Sequence, residues 1–283
     1  MQRNVKIDIL DQTEARIMYQ WIAEAGWNPG LHDAETFYKA FPTGLIGVKK
    51  DNELVGVSSV FKHSPRYACF GNYLVKPEYR GQGFGLLMTR RRLNIAGYRN
   101  ISLDAAPENQ AIYRSVGFRT AYFNQRFEIN WQHAPDKLHP NVINLKNVRL
   151  LELLEYEKNL FPCKRKALLK AWVTQPGSSA FCFRDHCHIK GFGVLRPCMT
   201  GYRIGPLFAD TPVIAEHLMQ ALLQHSLGQP VFCDIPETNP HARHLVHSFG
   251  GQPIDFLCAR MYRGYEPDLD YPRLYALTSL ESG

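Results

Sequence analysis

The stretch that most constrains the fold is 73–88, Tyr-Leu-Val-Lys-Pro-Glu-Tyr-Arg-Gly-Gln-Gly-Phe-Gly-Leu-Leu-Met, where an extended run gives way to alternating glycines and then to a helix. Glycines let the backbone approach a ligand closely, successive N–H groups point into the turn, and the helix start adds about half a positive charge there. A diphosphate fits such a cradle, with Arg80 as a fixed cation at its rim. The turn is not a Walker A loop, because no Gly-Lys-Ser/Thr follows. It is not a Rossmann fingerprint either, because it lacks the Gly-x-Gly-x-x-Gly spacing and follows antiparallel strands.

The elements around this turn are legible from periodicity. Residues 5–10 alternate as a strand, Asp11 caps a helix running to about Ala25, and a short helix covers 34–40. Runs 44–50, 54–62 and 68–75 are three strands joined by short turns, which implies an antiparallel meander. A helix over 83–96, a strand at 101–105, a helix over 109–116 and strands near Phe118 and at 123–130 complete a first unit. Polar, proline-bearing residues 133–147 read as a linker. The remainder repeats the order: helices at 149–159 and 163–173, strands at 179–183, 191–196 and 202–208, a helix over 211–227, a strand at 231–235, a helix over 239–249, and closing strands at 257–262 and 274–279. A shift of 133 residues lays Tyr113–Gly117 on Val246–Gly250, so two copies of one α/β unit are expected. The division is 1–132, a linker at 133–147, and 148–283.

Composition narrows the class further. The chain has 283 residues, enough for two domains, with 45% hydrophobic and 21% charged residues, which excludes disordered and fibrous classes. The net charge of +7 leans toward the first half and suits an anionic ligand. No helix-turn-helix or stacked basic face marks a nucleic-acid binder, and Arg90-Arg91-Arg92 reads as a solvated helix face. No apolar run approaches the ~18 residues of a membrane span, and Met1–Asp8 lack the apolar core of a signal peptide, so a soluble cytoplasmic protein is expected. The seven cysteines, six of them beyond residue 160, have no framework spacing and are expected to be reduced. Cys182, His186, Cys187 and His188 are too close in sequence to converge on one ion, so no metal is expected.

Val75-x-Pro77-x-Tyr79-Arg80-Gly81-Gln82-Gly83-x-Gly85 resembles motif A of the GCN5-related N-acetyltransferase (GNAT) superfamily. Tyr113-Arg114-Ser115-Val116-Gly117-Phe118 resembles its later Tyr-x-x-x-Gly-Phe signature. Gly26–Gly30, Ile204–Leu207, Asp234–Asn239 and Ala276–Glu281 are similar to the tandem group with two such domains. The resemblance implies an α/β (α+β) fold of two GNAT-like domains, each a mixed, mostly antiparallel sheet flanked by helices. It implies acetyl-CoA as co-substrate, with its pyrophosphate on Arg80, Gly81, Gln82, Gly83, Phe84 and Gly85. Its pantetheine would run along the backbone of Leu74 and Val75. Tyr113 matches the superfamily tyrosine that protonates the departing CoA sulfur, as a phenol of pKa near ~10 can.

The reaction implied is acetyl transfer to a primary amine, expected to be that of a small molecule, by a monomer or homodimer. A protein or peptide acceptor and a non-catalytic CoA-binding regulator are the alternatives. For the base, the carboxylates near predicted strand ends and entrance helices are Glu24, Asp33, Glu78 and Glu108, none of them singled out by spacing; Glu78 and Glu108 are expected to face solvent, and a water chain is the alternative. Trp21, Trp27, Phe37, Tyr38 and Phe41 crowd those helices, and Trp27 stands between core and acceptor pocket. The superfamily's cofactor-binding asparagine is replaced by Ala106. In the second half Asn239 and Ala242 fit the pattern, but Val246 stands in the tyrosine's place. There Phe208-Ala209-Asp210-Thr211-Pro212 replaces the glycine turn, and Asp210 would repel a phosphate. The second domain is therefore expected not to bind cofactor.

Overall fold

The computed structural model describes residues 4–132, 137–226 and 228–283. Residues 1–3, the first four residues of the expected linker and Leu227 at the expected end of a helix lie outside the described residues. The first half runs β1 (Val5–Ile9), α1 (Gln12–Glu24), α2 (Asp33–Ala40), β2 (Leu45–Lys50), β3 (Glu53–Lys62), β4 (Tyr67–Val75), α3 (Phe84–Ala96), β5 (Asn100–Ala105), α4 (Gln110–Ser115) and β6 (Arg119–Ile129). The second half runs β7 (Val142–Asn144), α5 (Leu150–Glu157), α6 (Lys166–Val173), β8 (Ser179–Asp185), β9 (His188–Pro197), β10 (Tyr202–Ala209), α7 (Pro212–Leu223), β11 (Val231–Pro236), α8 (Pro240–Ser248), β12 (Gln252–Arg263) and β13 (Leu274–Ala276).

Local chemistry accounts for the element starts. Asp11 and Glu14 form a capping box at α1, each side chain serving the other's backbone N–H. Thr211 caps α7 with Pro212 at its first position. Asp51 and Asn52 take left-handed φ values of 50° and 68°, as the tight β2–β3 turn requires.

All strands join one sheet, in the order β1-β2-β3-β4-β5-β12-β6-β11-β10-β9-β8-β7, with β13 pairing β10. β4–β5 and β10–β11 are parallel, and the other pairs are antiparallel. The expected meander is β2–β3–β4. Two expectations need correction. The segment read as a linker contains β7, which pairs with β8 as β1 pairs with β2. The last strand of each half also crosses over, so that β12 lies between β5 and β6 while β6 borders β11. Alternation within a strand reveals its two faces but not its neighbour, so this exchange has no local sequence signal.

Helices α1, α2, α5 and α6 share one core built on Met18, Phe37, Leu153, Leu168 and Trp172. Helices α3 and α4 pack elsewhere, around Phe70, Ala96 and Phe118, with Phe84 and Met88 beside them. Helices α7 and α8 cover the second half. Buried ion pairs bridge the halves: Asp33–Arg196 at 3.0 Å, Arg126–Asp234 at 2.7 Å and Asp104–Arg260 at 2.7 Å. Arg92, expected on a solvated face with Arg90 and Arg91, is 1% exposed. It follows Phe84 and Met88 at four-residue steps on the buried stripe of α3.

Candidate active site

β4 and β5 are paired only from Tyr67↔Asn100 to Phe70↔Leu103, after which the strands part. The cause lies on the other edge of β4, where its register with β3 slips and Asn72 adopts a left-handed φ of 54°. Such a bulge bends the strand away from its partner. Asn72 is buried, and its Nδ2 donates to the Tyr19 hydroxyl at 3.1 Å, which ties the bend to α1. The opening is a cleft of about 1220 Å³ that runs from the glycine turn to the segment ending in Glu281.

At one end stands the turn. Gly81 and Gly83 have φ of +72° and +86°, and a β-carbon on either would meet nothing within 4 Å, so the conformation rather than crowding demands glycine. Gly83 caps α3 without a side chain, which leaves the first helical N–H groups unmasked. Lys76 and Tyr79 both bind Glu53, at 2.8 and 2.7 Å, and steady the turn. Arg80 donates through Nε to the Val75 carbonyl at 3.1 Å. Leu74, Val75, Arg80, Gly81, Gly85 and Tyr113 line the cleft. Gln82 turns back to the Glu78 carbonyl, and Phe84 is buried against the sheet. A β-carbon on Gly85 would fall 2.6 Å from the Tyr73 hydroxyl, so this glycine serves helix–strand packing rather than room for a ligand.

In the middle, the Tyr113 ring meets Tyr73 and Phe118 edge-on at 6.5 and 5.9 Å. Its hydroxyl supports the charge of Arg92, whose pKa burial holds down. Ala106 and Asn109 also line the wall.

The far end belongs to the second half. Segment 277–283 crosses β4 and places Glu281 beside Gly71, next to the bulge. Glu281 lines the cleft with Tyr19, Trp27 and Leu280. Among the described residues no other side chain donates a hydrogen bond to its carboxylate. Burial and then the Asp33 carboxylate push its pKa up, against the pull of Arg196 and Arg203. Glu78 and Glu108 face solvent as expected, and none of the four carboxylates weighed from sequence stands beside Glu281 inside the cleft. Asp33 is buried in its pair with Arg196, Glu24 is exposed and bound to Gln20, and Glu78 and Glu108 are exposed, the last at the cleft mouth. Glu281 was missed because a contact across some two hundred residues leaves no local pattern. Trp27 both packs on the core and lines the cleft, while its carbonyl accepts from Arg126 and Arg203.

A splayed parallel pair, a glycine turn at a helix start and a facing tyrosine can hold an extended nucleotide thioester. Two different family models, each described as an acetyltransferase (GNAT) domain, match this chain, one over residues 42–120 and the other over 153–276. The holothin acyltransferase of Pseudoalteromonas sp. (strain SANK 73390) is 31% identical over 274 residues, 95% of this chain and 92% of that protein. The chain belongs to the GNAT family. It is a tandem GNAT protein and an acetyl- or acyltransferase. Its fold is similar to that of a putative acetyltransferase from Pyrococcus horikoshii, with a TM-score of 0.84 and 24% identity, covering 100% of this chain and 97% of that one. It is also similar to a tandem GNAT protein from the clavulanic acid biosynthesis pathway, with a TM-score of 0.63 and 12% identity, covering 93% and 100%.

The two GNAT units differ at the splay. In the second, β10 and β11 pair only from Tyr202↔Val231 to Ile204↔Cys233 and then part, as β4 and β5 do. Here β13 lies in the gap. It pairs with β10 at Leu207↔Ala276, the Leu277 N–H donates to the Asp234 carbonyl, and Asn239 donates to the carbonyls of Pro272 and Leu274. The chain's own strand thus fills the second gap, which in the first unit stays open. Asp210, expected to repel phosphate, is occupied by Arg273 at 2.6 Å and by the Tyr156 hydroxyl at 3.0 Å.

Proposed function

We propose that this protein transfers an acetyl group from acetyl-CoA to the primary amine of a small molecule, using the first splay alone. The observation that carries the reading is the open cleft with the glycine turn at one end and, at the other, a half-buried carboxylate to which no other side chain among the described residues donates. The pyrophosphate rests on the turn 80–85 and the pantetheine passes Leu74 and Val75. The amine enters from the side of Tyr19, Trp27 and Leu280. Glu281 takes the proton of the amine as nitrogen attacks the thioester carbon, and its raised pKa suits a base working near neutrality. The C–S bond breaks and the departing thiolate takes the Tyr113 proton. The side chains lining this end favour a small molecule over a protein: Phe256, Leu257 and Cys258 of β12 line the cleft together with Trp27.

Acetyl-CoA is expected to raise the melting temperature, and Gly83→Asp to remove the shift by adding a side chain at positive φ and a charge facing phosphate. A thiol-release screen against pooled amines, amino acids, aminoglycosides and peptides identifies the acceptor. Tyr113→Phe should lower kcat with little change in acetyl-CoA affinity. A shift that survives Gly83→Asp removes the turn from the site, and binding without turnover on any amine points to a CoA-binding regulator.

A further inference from the structure

Six arginines are essentially buried: 92, 126, 165, 196, 203 and 260. Five of them have a carboxylate within 4 Å, supplied by Asp234, Glu157, Asp33 or Asp104. Arg92 has none among the described residues, and its Nε and Nη1 find no acceptor. Its guanidinium lies over the rings of Phe70 and Tyr73, at 4.3 and 5.1 Å, and meets the Tyr113 hydroxyl, which together support the charge but leave Nε and Nη1 unanswered. An uncompensated buried cation costs several kcal/mol, and a leucine would satisfy the stripe of α3 that Arg92 occupies. Arg92 is also one of the residues that line the cleft.

Its place in the cleft says what would complete it. Phe70, beneath it, is the last paired residue of β4, so Arg92 stands at the floor of the splay. It is nine positions along α3 from Gly83, roughly 13 Å, so turn and guanidinium address opposite ends of an extended ligand. A group reaching the floor from a thioester held beside Tyr113 is the far end of the acyl chain. We propose that Arg92 binds the terminal carboxylate of an acyl-CoA, giving the protein a second donor class beyond acetyl-CoA: short dicarboxylic acyl thioesters such as malonyl- and succinyl-CoA. The reaction balances as before: nitrogen bonds the thioester carbon, the C–S bond breaks, Glu281 takes a proton and the sulfur receives one from Tyr113. The product is an amide with a free carboxylate that takes no part in the chemistry.

This inference rests on the cleft being the acyl-CoA site, and the test separates the two. Dissociation constants of acetyl-, butyryl- and succinyl-CoA are measured calorimetrically without acceptor. Butyryl-CoA has the succinyl chain length without its charge. The wild-type protein should bind succinyl-CoA about tenfold more tightly than butyryl-CoA, as a charge-assisted fork allows. Arg92→Gln and Arg92→Lys should each reduce that ratio, the glutamine more. Equal binding of the two donors by the wild type overturns the proposal while acetyl-CoA binding leaves the cleft assignment intact. A fall in both affinities by the same factor in Arg92→Gln also overturns it, since the guanidinium would then act on the shared thioester or on the fold. Failure of the wild type to bind any of the three sinks both readings.

Discussion

Gly71 and Glu281 are so close that a β-carbon on the glycine would stand 2.4 Å from the β-carbon of the glutamate and 2.7 Å from its α-carbon. Backbone cannot yield as a flexible side-chain tip can. Gly71→Ala should therefore displace the segment that carries Glu281. We expect about 1–3 kcal/mol of destabilisation in urea titrations and a loss of kcat larger than the loss of acetyl-CoA affinity. Unchanged turnover would mean that the position of Glu281 over β4 does not matter to the reaction.

Glu281→Gln tests the base directly. A positioned base contributes on the order of a hundredfold or more, so kcat should fall by about that factor. In the wild type kcat/KM should decline as pH drops through a value above the ordinary carboxylate range, because burial and Asp33 raise the Glu281 pKa. The variant should lose that acid limb. Retention of both rate and limb assigns deprotonation to another group.

Asp33→Asn separates the two carboxylates. It leaves Arg196 buried without its partner, for which about 3–5 kcal/mol of stability is expected to be lost. It also removes a charge that raises the Glu281 pKa, so the acid limb should move to lower pH while survivors of the folding loss still turn over. Complete inactivity of folded Asp33→Asn would make Asp33 the base instead.

His63 offers a stability test away from the chemistry. Burial, and then the charge of Arg165, lower its pKa to about 3, and its ring packs among Phe41, Tyr67 and Phe161. The folded pKa lies below the unfolded value of about 6.5, so the unfolded chain binds the extra proton between these limits. Stability should be full above about pH 6.5 and decline as pH falls toward 3, by up to about 1.4 kcal/mol per pH unit. His63→Phe keeps a ring in place and should flatten that part of the profile in urea midpoints. An identical slope in both proteins would locate the proton uptake elsewhere.

Asp210→Ala tests the proposal that the second splay takes no cofactor. With β13 in the gap and Asp210 held by Arg273, the variant should still bind one acetyl-CoA per chain by calorimetry. A second equivalent would show that charge, not the inserted strand, keeps cofactor out.

The parts of this site that were legible in sequence are those made by contiguous residues. Arg80 to Gly85 report a turn and a helix start within six positions, and Tyr113 is fixed relative to Gly117 and Phe118 by one short helix. Glu281 was not legible, because its place depends on β12 and β13 first taking positions among strands from the other half. Arg92 was hidden by its neighbours: beside Arg90 and Arg91 it looks like one more solvated charge. The four-residue steps Phe84, Met88, Arg92 and Ala96 were a signal that assigns it to the buried face. The exchange of β6 and β12 was illegible for the same reason as Glu281, since each strand carries the right alternation for either neighbour.

The path of residues 274–283 has a consequence for how the two copies can diverge. One short ribbon fills the splay of one repeat with β13 and then sets the Glu281 carboxylate in the open splay of the other. Neither repeat can be excised alone, because β12 of the second pairs with β5 of the first, β6 of the first pairs with β11 of the second, and the carboxylate proposed as the base reaches the first splay from the second repeat. Duplication here has yielded one indivisible machine in place of two independent ones.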